Sequence, residues 1–263
     1  MRVSSAVGSA FRLVGVFAGV VLLAPAALAL DGETLIRQGA ATNLTIDAAS
    51  SGLPIKLNRA GHYKLTTNIN VPSMGRPNAP RCGIEIAEVN VTLDLNGFAL
   101  IGENMSASVG VCLRANSATI VNGTISGFGN AITGIENTDL APGGASYVRI
   151  ENVRLVRNAL HIRLGGKANL VKSNTLSDGG LLGIDCAAGC AVIGNLVMDG
   201  EFSGASTGIA MHSGVAIGNV VAGYKSGLVC NGPGTCGFSQ NSFFRNGTDV
   251  VGAAARPMNP NSP

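Results

Sequence analysis

The chain has 263 residues, of which 13% are charged, 4% are aromatic and none is Trp, while Gly contributes 37. So few charges beside 46% apolar residues exclude a generally disordered chain. A helical bundle is excluded by glycine, since each Gly inside a helix costs about 1 kcal/mol; frequent Gly, Val, Ile, Asn and Thr suit short strands and tight turns.

The first element in chain order is an export signal. Arg2 and Arg12 precede the apolar run Leu13 to Leu23, and Ala27-Leu28-Ala29 supplies a small-x-small cleavage site. Residues 1–29 therefore read as a secretory signal peptide. Leu13 to Leu30 barely reaches the length of a membrane span, and Pro25 interrupts it. No later segment could span a membrane as a helix. Loss of Arg2 and Arg12 leaves 16 basic and 15 acidic residues, a net +1 that gives no reason to expect nucleic acid as a partner.

Residues 30–60 are expected to cap the open end of a stacked repeat. Within them Asp31 to Gln38 reads as a short helix, and Leu44 to Leu57 as strand-like pieces. From Gly61 to about residue 252 the chain repeats. Asn recurs at Asn68, Asn96, Asn122, Asn152, Asn174, Asn195, Asn219 and Asn241, at a mean interval of about 25 residues. Apolar stretches flank these asparagines, such as Val91-Thr-Leu-Asp-Leu95 before and Leu196-Val-Met198 after. A second signature precedes most of them: a small residue, an apolar one, a free position, then usually another apolar one. Examples are Gly83-Ile-Glu-Ile86, Ala159-Leu-His-Ile162, Gly183-Ile-Asp-Cys186 and Gly208-Ile-Ala-Met211. That alternation is a strand with one buried face. Each unit holds three short strands and three corners, with no room for a helix. Stacked units bury the apolar face that one unit cannot, and stacked asparagines can bond along the axis while tolerating left-handed corners. Residues 253–263, with three prolines from Arg256 onward, read as a loose tail.

The stretch Val91-Thr-Leu-Asp-Leu-Asn-Gly-Phe-Ala-Leu-Ile-Gly102 and repeats such as Ala191-Val-Ile-Gly-Asn-Leu-Val197 resemble the pectate-lyase-like superfamily, and more narrowly the exported bacterial β-helix-repeat proteins. The resemblance covers about residues 61 to 250. It implies an all-β, right-handed parallel β-helix of about seven or eight coils of roughly 25 residues. It says little of function, because this fold carries lyases, hydrolases, epimerases, binding modules and adhesins alike.

Six cysteines in an exported chain favour disulfides. The short spacings suggest Cys186–Cys190 and Cys230–Cys236, leaving Cys82 with Cys112; the register sets Cys82 inward and Cys112 outward, which leaves that pair open. A zinc site is the rival, but neither paired Cys-x2-Cys nor histidine at ligand spacing is present. No metal and no cofactor are expected.

Enzymes that resemble this fold work along the first strand of the coil. The repeat register places Glu85, Cys112, Thr133, His161, Asp185, Ala210 and Val229 in one outward column there. Ala87, Arg114, Ile135, Arg163, Ala187, His212 and Asn231 form the next. Glu85 and Asp185, its only carboxylates, lie four coils apart, about 19 Å, too far for glycoside hydrolysis without help from Asp199 or Glu201. The best cluster is His161 as base, Asp185 orienting it and raising its pKa, and Arg163 meeting a uronate carboxylate, with His212 and Arg114 binding substrate. Neither the aspartate clusters of calcium-dependent relatives nor the Asp-Pro-His-Asp motif of alginate epimerases is found. A basic run from Arg149 to Lys172 reads as a solvated face rather than as an anionic-polysaccharide patch, and the scattered Tyr63, Tyr147 and Tyr224 make a poor sugar platform. The sparse, mostly uncharged face favours a non-catalytic glycan-binding or surface scaffold module with a polysaccharide partner. A uronate-polymer lyase or epimerase is the alternative.

Overall fold

The structure, a computed structural model, describes residues 32–37, 53–71, 82–134, 144–199, 206–232, 234–252 and 255–258; the side chains at 104–108, 130–134 and 255 fall outside it. The expected signal peptide therefore lies outside the described residues, as do Glu201 and Ile135. Every described element is a strand, and every strand pairing is parallel. Among the described residues no helix is long and apolar enough to cross a membrane.

Three parallel ladders account for these pairings. The first climbs through Ile55, Ile84, Val111, Ile132, Ile162, Ile184, Ile209, Leu228 and Val250, successive partners lying 19 to 30 residues apart. The second runs from Glu33–Ile36 to Ala255–Pro257, and the third from Ile69–Val71 to Ser242–Phe244. Two local expectations change. Glu33–Ile36, expected as helix, is a strand paired with Gly61–Leu65, because a neighbouring edge offers its backbone more hydrogen bonds than an isolated turn. Ala255–Pro257, expected as loose tail, pairs with Cys236–Ser239.

The interior is aliphatic. Leu57, Ile84, Ile86, Leu113, Ile162, Leu164 and Ile184 are fully buried on the first ladder, with Leu93, Ile120, Ile150 and Val192 on the second and Leu100, Ile125, Leu155 and Val197 on the third. At about 25 cal/mol per Å² of apolar surface, each such side chain contributes about 1.5–3 kcal/mol.

The corners explain the asparagines. Column by column, left-handed residues stack: Asn90, Ser117, Tyr147, Ala168 and Gly189 at the first corner; Asn122, Asn152, Ser173, Gly194, Gly218 and Gln240 at the second; Gly127, Arg157, Asp178, Gly223 and Arg245 at the third. One residue after the second column stands the amide ladder. Asn174 donates its main-chain N–H and its Nδ2 to Asn195 Oδ1 at 2.9 and 3.0 Å, Asn195 repeats this on Asn219, and Asn219 on Asn241. The ladder thus contains four of the eight expected asparagines. Asn122 and Asn152 sit one position earlier, in the left-handed column, and Asn96 likewise has φ 51°. Asn68 instead accepts the Ala99 amide at 2.9 Å. All eight serve corners, but in different ways.

Cys186–Cys190 and Cys230–Cys236 are bridged, as is Cys82–Cys112. Cys82 meets Cys112 and Val109 in a small cluster separate from the main core. The expectation of an inward Cys82 is therefore wrong.

Candidate functional site

The first ladder runs Lys56, Glu85, Cys112, Thr133, Arg163, Asp185, Ala210, Val229 and Val251 along one column. Arg163, not His161, is the neighbour of Asp185. The unit Ala159-Leu-His-Ile162 lies two residues out of the true register: Ile162 pairs with Ile132 and Ile184, so the repeating small–apolar–x–apolar pattern is His161-Ile162-Arg163-Leu164. His161 thus stands where other rungs place Gly83, Gly183, Gly208 and Gly227.

His161 is fully buried. Asn158 fixes its tautomer. Asn158 Oδ1 accepts the Phe128 amide at 2.9 Å, so Nδ2 is the group facing His161 Nδ1 at 3.3 Å. Nδ1 is therefore an acceptor, and the proton resides on Nε2. Burial pushes the pKa down to about 4, opposite to the rise expected from an adjacent Asp185. The Nε2 atom packs over Gly179, where a Cβ would collide with it, and has no hydrogen-bond partner among the described residues. Gly179 occupies the corner position held by Asn158 one rung before. The imidazole fills the space that a corner asparagine would take. The structure separates His161 from the surface it was expected to serve.

Arg163 and Asp185 remain together on that surface, Nε to Oδ2 at 3.4 Å. Partial burial raises the Asp185 pKa, while Arg163 and then His212 oppose the shift. His212 is exposed. Glu85 and Asp185 stay four rungs apart, so they make no carboxylate pair.

Arg114 lies at a different place with more enclosure. Where the first ladder turns into the second, a cavity of about 600 Å³ spans several rungs. Its lining is mostly small: Ala87, Ala115, Gly144, Ala145, Gly165, Gly166 and Ala188, with Arg114, Lys167, Glu88, Asn116 and Ser146 as polar groups. The hollow has a local cause. The pairing register shifts between Leu164 and Lys167, and Gly165-Gly166 form the irregularity. A Cβ on Gly166 would strike the Ala145 carbonyl, so only glycine lets the two rungs approach.

Charge is arranged behind this hollow. Glu85, only 8% exposed, lies 3.3 Å from Arg114 Nε and 3.7 Å from Lys56 Nζ. Lys167 is exposed and has no ion pair among the described residues. The basic run from Arg149 to Lys172 does not form one patch. Arg149 binds Glu151 at 2.8 Å on the second ladder, Arg154 is on the third, Arg157 at its corner, and Lys167 alone lines the cavity. The Gly165-Gly166 doublet is the sequence signal for the cavity, since paired glycines inside a strand mark an irregularity. Tyr63 is buried and donates to the Arg59 carbonyl at 2.8 Å, Tyr224 is buried, and Tyr147 is exposed beside Ser146. No group of three or more His, Cys, Asp or Glu suited to a metal ion occurs among the described residues.

No family model, curated protein or solved structure matches the chain.

Proposed function

We propose that the chain is an exported right-handed parallel β-helix of seven or eight coils, and that it acts as a non-catalytic glycan-binding module through the cavity flanked by Arg114 and Lys167. The observation that carries this reading is the cavity itself. About 600 Å³ falls within the range of small-ligand sites, and a few convergent polar groups are what such sites share. The three disulfides favour an oxidising compartment, where glycans are abundant. A lyase or epimerase needs a base at the sugar, and the burial of His161 removes the histidine best suited to that role.

The test is calorimetric titration of the mature chain with a panel of defined oligosaccharides, alongside an ultraviolet assay for unsaturated product. Binding without turnover, weakened at least tenfold by Arg114→Ala together with Lys167→Ala, is the expected result. Turnover, or binding indifferent to both substitutions, overturns the reading.

A further inference from the structure

We infer that the glycan taken by this cavity carries an anionic oxyacid group, a carboxylate or a sulfate ester, and that Glu85 is a positioning residue that presets Arg114 to receive it. This rests on the glycan-binding reading. Two cations and one carboxylate, Glu88, line the cavity. Glu88 is already engaged, since its Oε1 accepts the Val89 amide at 2.8 Å. Lys167 is exposed without an ion pair among the described residues. A neutral ligand would leave that charge unused.

The arrangement of Arg114 is more telling. Glu85 meets it at Nε. Among the described residues the two terminal nitrogens make no hydrogen bond, so the donor pair that binds a carboxylate or sulfate end-on meets no competitor among them. A guanidinium drawn toward a nearly buried carboxylate by this ion pair samples fewer rotamers before the ligand arrives, which lowers the entropic cost of binding. Lys56 on the far side of Glu85 lies 3.7 Å away, so Glu85 is shared by two cations and its charge is largely spent within the protein. That leaves the cavity net positive.

Positioning and simple charge make opposite predictions for Glu85→Gln. Removing a negative charge near Arg114 by itself raises the affinity for an anion. Loss of the orienting partner lowers it. The experiment titrates wild type, Glu85→Gln, Arg114→Lys and Arg114→Ala with three probes of equal length: an oligouronate, a sulfated galactan oligosaccharide and a neutral hexose oligomer. The expected result is that wild type binds one or both anionic probes at least tenfold more tightly than the neutral one. Glu85→Gln and Arg114→Lys should each lose about tenfold on that anionic probe and little on the neutral one, with melting temperatures confirming the fold. Equal binding of neutral and anionic probes overturns this inference and leaves the glycan-binding reading standing. Tighter anion binding by Glu85→Gln overturns the positioning role of Glu85. If no glycan of any kind binds, the parent reading falls first. The carboxylate and sulfate arms say which oxyacid is recognised.

Discussion

At the scale of single residues, two side chains behave in ways that local pattern alone would not give. Asn195 is buried, and its amide is saturated by Val171, Asn174 and Asn219. Asn195→Leu is expected to cost about 1–3 kcal/mol in urea unfolding, since the neighbouring donors lose their acceptor. His161 is the second case. Its pKa falls from 6.5 in the unfolded chain to about 4 in the fold. A depressed basic group stabilises the fold fully above the unfolded value, and that stability is lost as pH drops from 6.5 towards 4. The shift corresponds to at most about 3 kcal/mol. Urea midpoints measured from pH 7 to pH 4 should therefore decline in wild type more than in His161→Gln. Gly179→Ala adds a related test. Its Cβ would strike the imidazole, so the substitution should destabilise wild type by about 1–3 kcal/mol and do much less damage in a His161→Gly background. The asparagines are readable because a corner needs a residue that tolerates φ > 0 or caps amides. Which of the two jobs each one does is not readable, since Asn152 and Asn174 differ by a single position that only the strand register reveals.

At the scale of strands and corners, the alternation of apolar residues locates the first ladder correctly wherever a glycine marks its start. It fails at one rung. Ala159-Leu-His-Ile162 satisfies the small–apolar–x–apolar rule as well as any other unit, and a histidine in the small column contradicts that rule. Only the exchange of corner asparagine for Gly179 makes room for it, and that exchange spans 18 residues of sequence. The error of two positions keeps strand parity, so Ile162 stays inward, but Leu160 is only half-buried and His161, expected outward, is buried. It nevertheless sets His161 next to Asp185 in the repeat pattern, whereas the fold puts Arg163 there. Cysteine spacing identifies the two local bridges, and elimination supplies the third. These three bridges differ in what they constrain. Cys82–Cys112 closes a 30-residue separation, against 4 for Cys186–Cys190. On loop-closure entropy the longer link contributes about 4 kcal/mol and the shorter about 2. Replacing Cys82 and Cys112 by Ala should thus lower urea stability more than replacing Cys186 and Cys190, a comparison that denaturation of the two double variants would settle.

At the scale of the whole molecule, the ladder of amides has a direction, because Asn174, Asn195 and Asn219 each give the main-chain N–H and one Nδ2 hydrogen to the side-chain oxygen of the next asparagine. Its members are interchangeable, so a gene that gained or lost one entire turn between Asn174 and Asn241 would rejoin the same bonds. A gain or loss of one residue inside a strand would not, since parity along a strand reverses with every step and the aliphatic face would be presented to water, whereas the corners absorb the differences that let turns run from 19 to 30 residues. Length in this architecture is accordingly countable, in whole turns. Deleting residues 196–219 moves Val220 into the place of Leu196 and brings Asn195 directly before it. Such a shortened protein should remain folded, with a strand-type circular dichroism spectrum and a single cooperative melt. Removing Val192 alone, inside the strand Cys190–Ile193, should instead lower the stability of the protein, because side-chain parity reverses there.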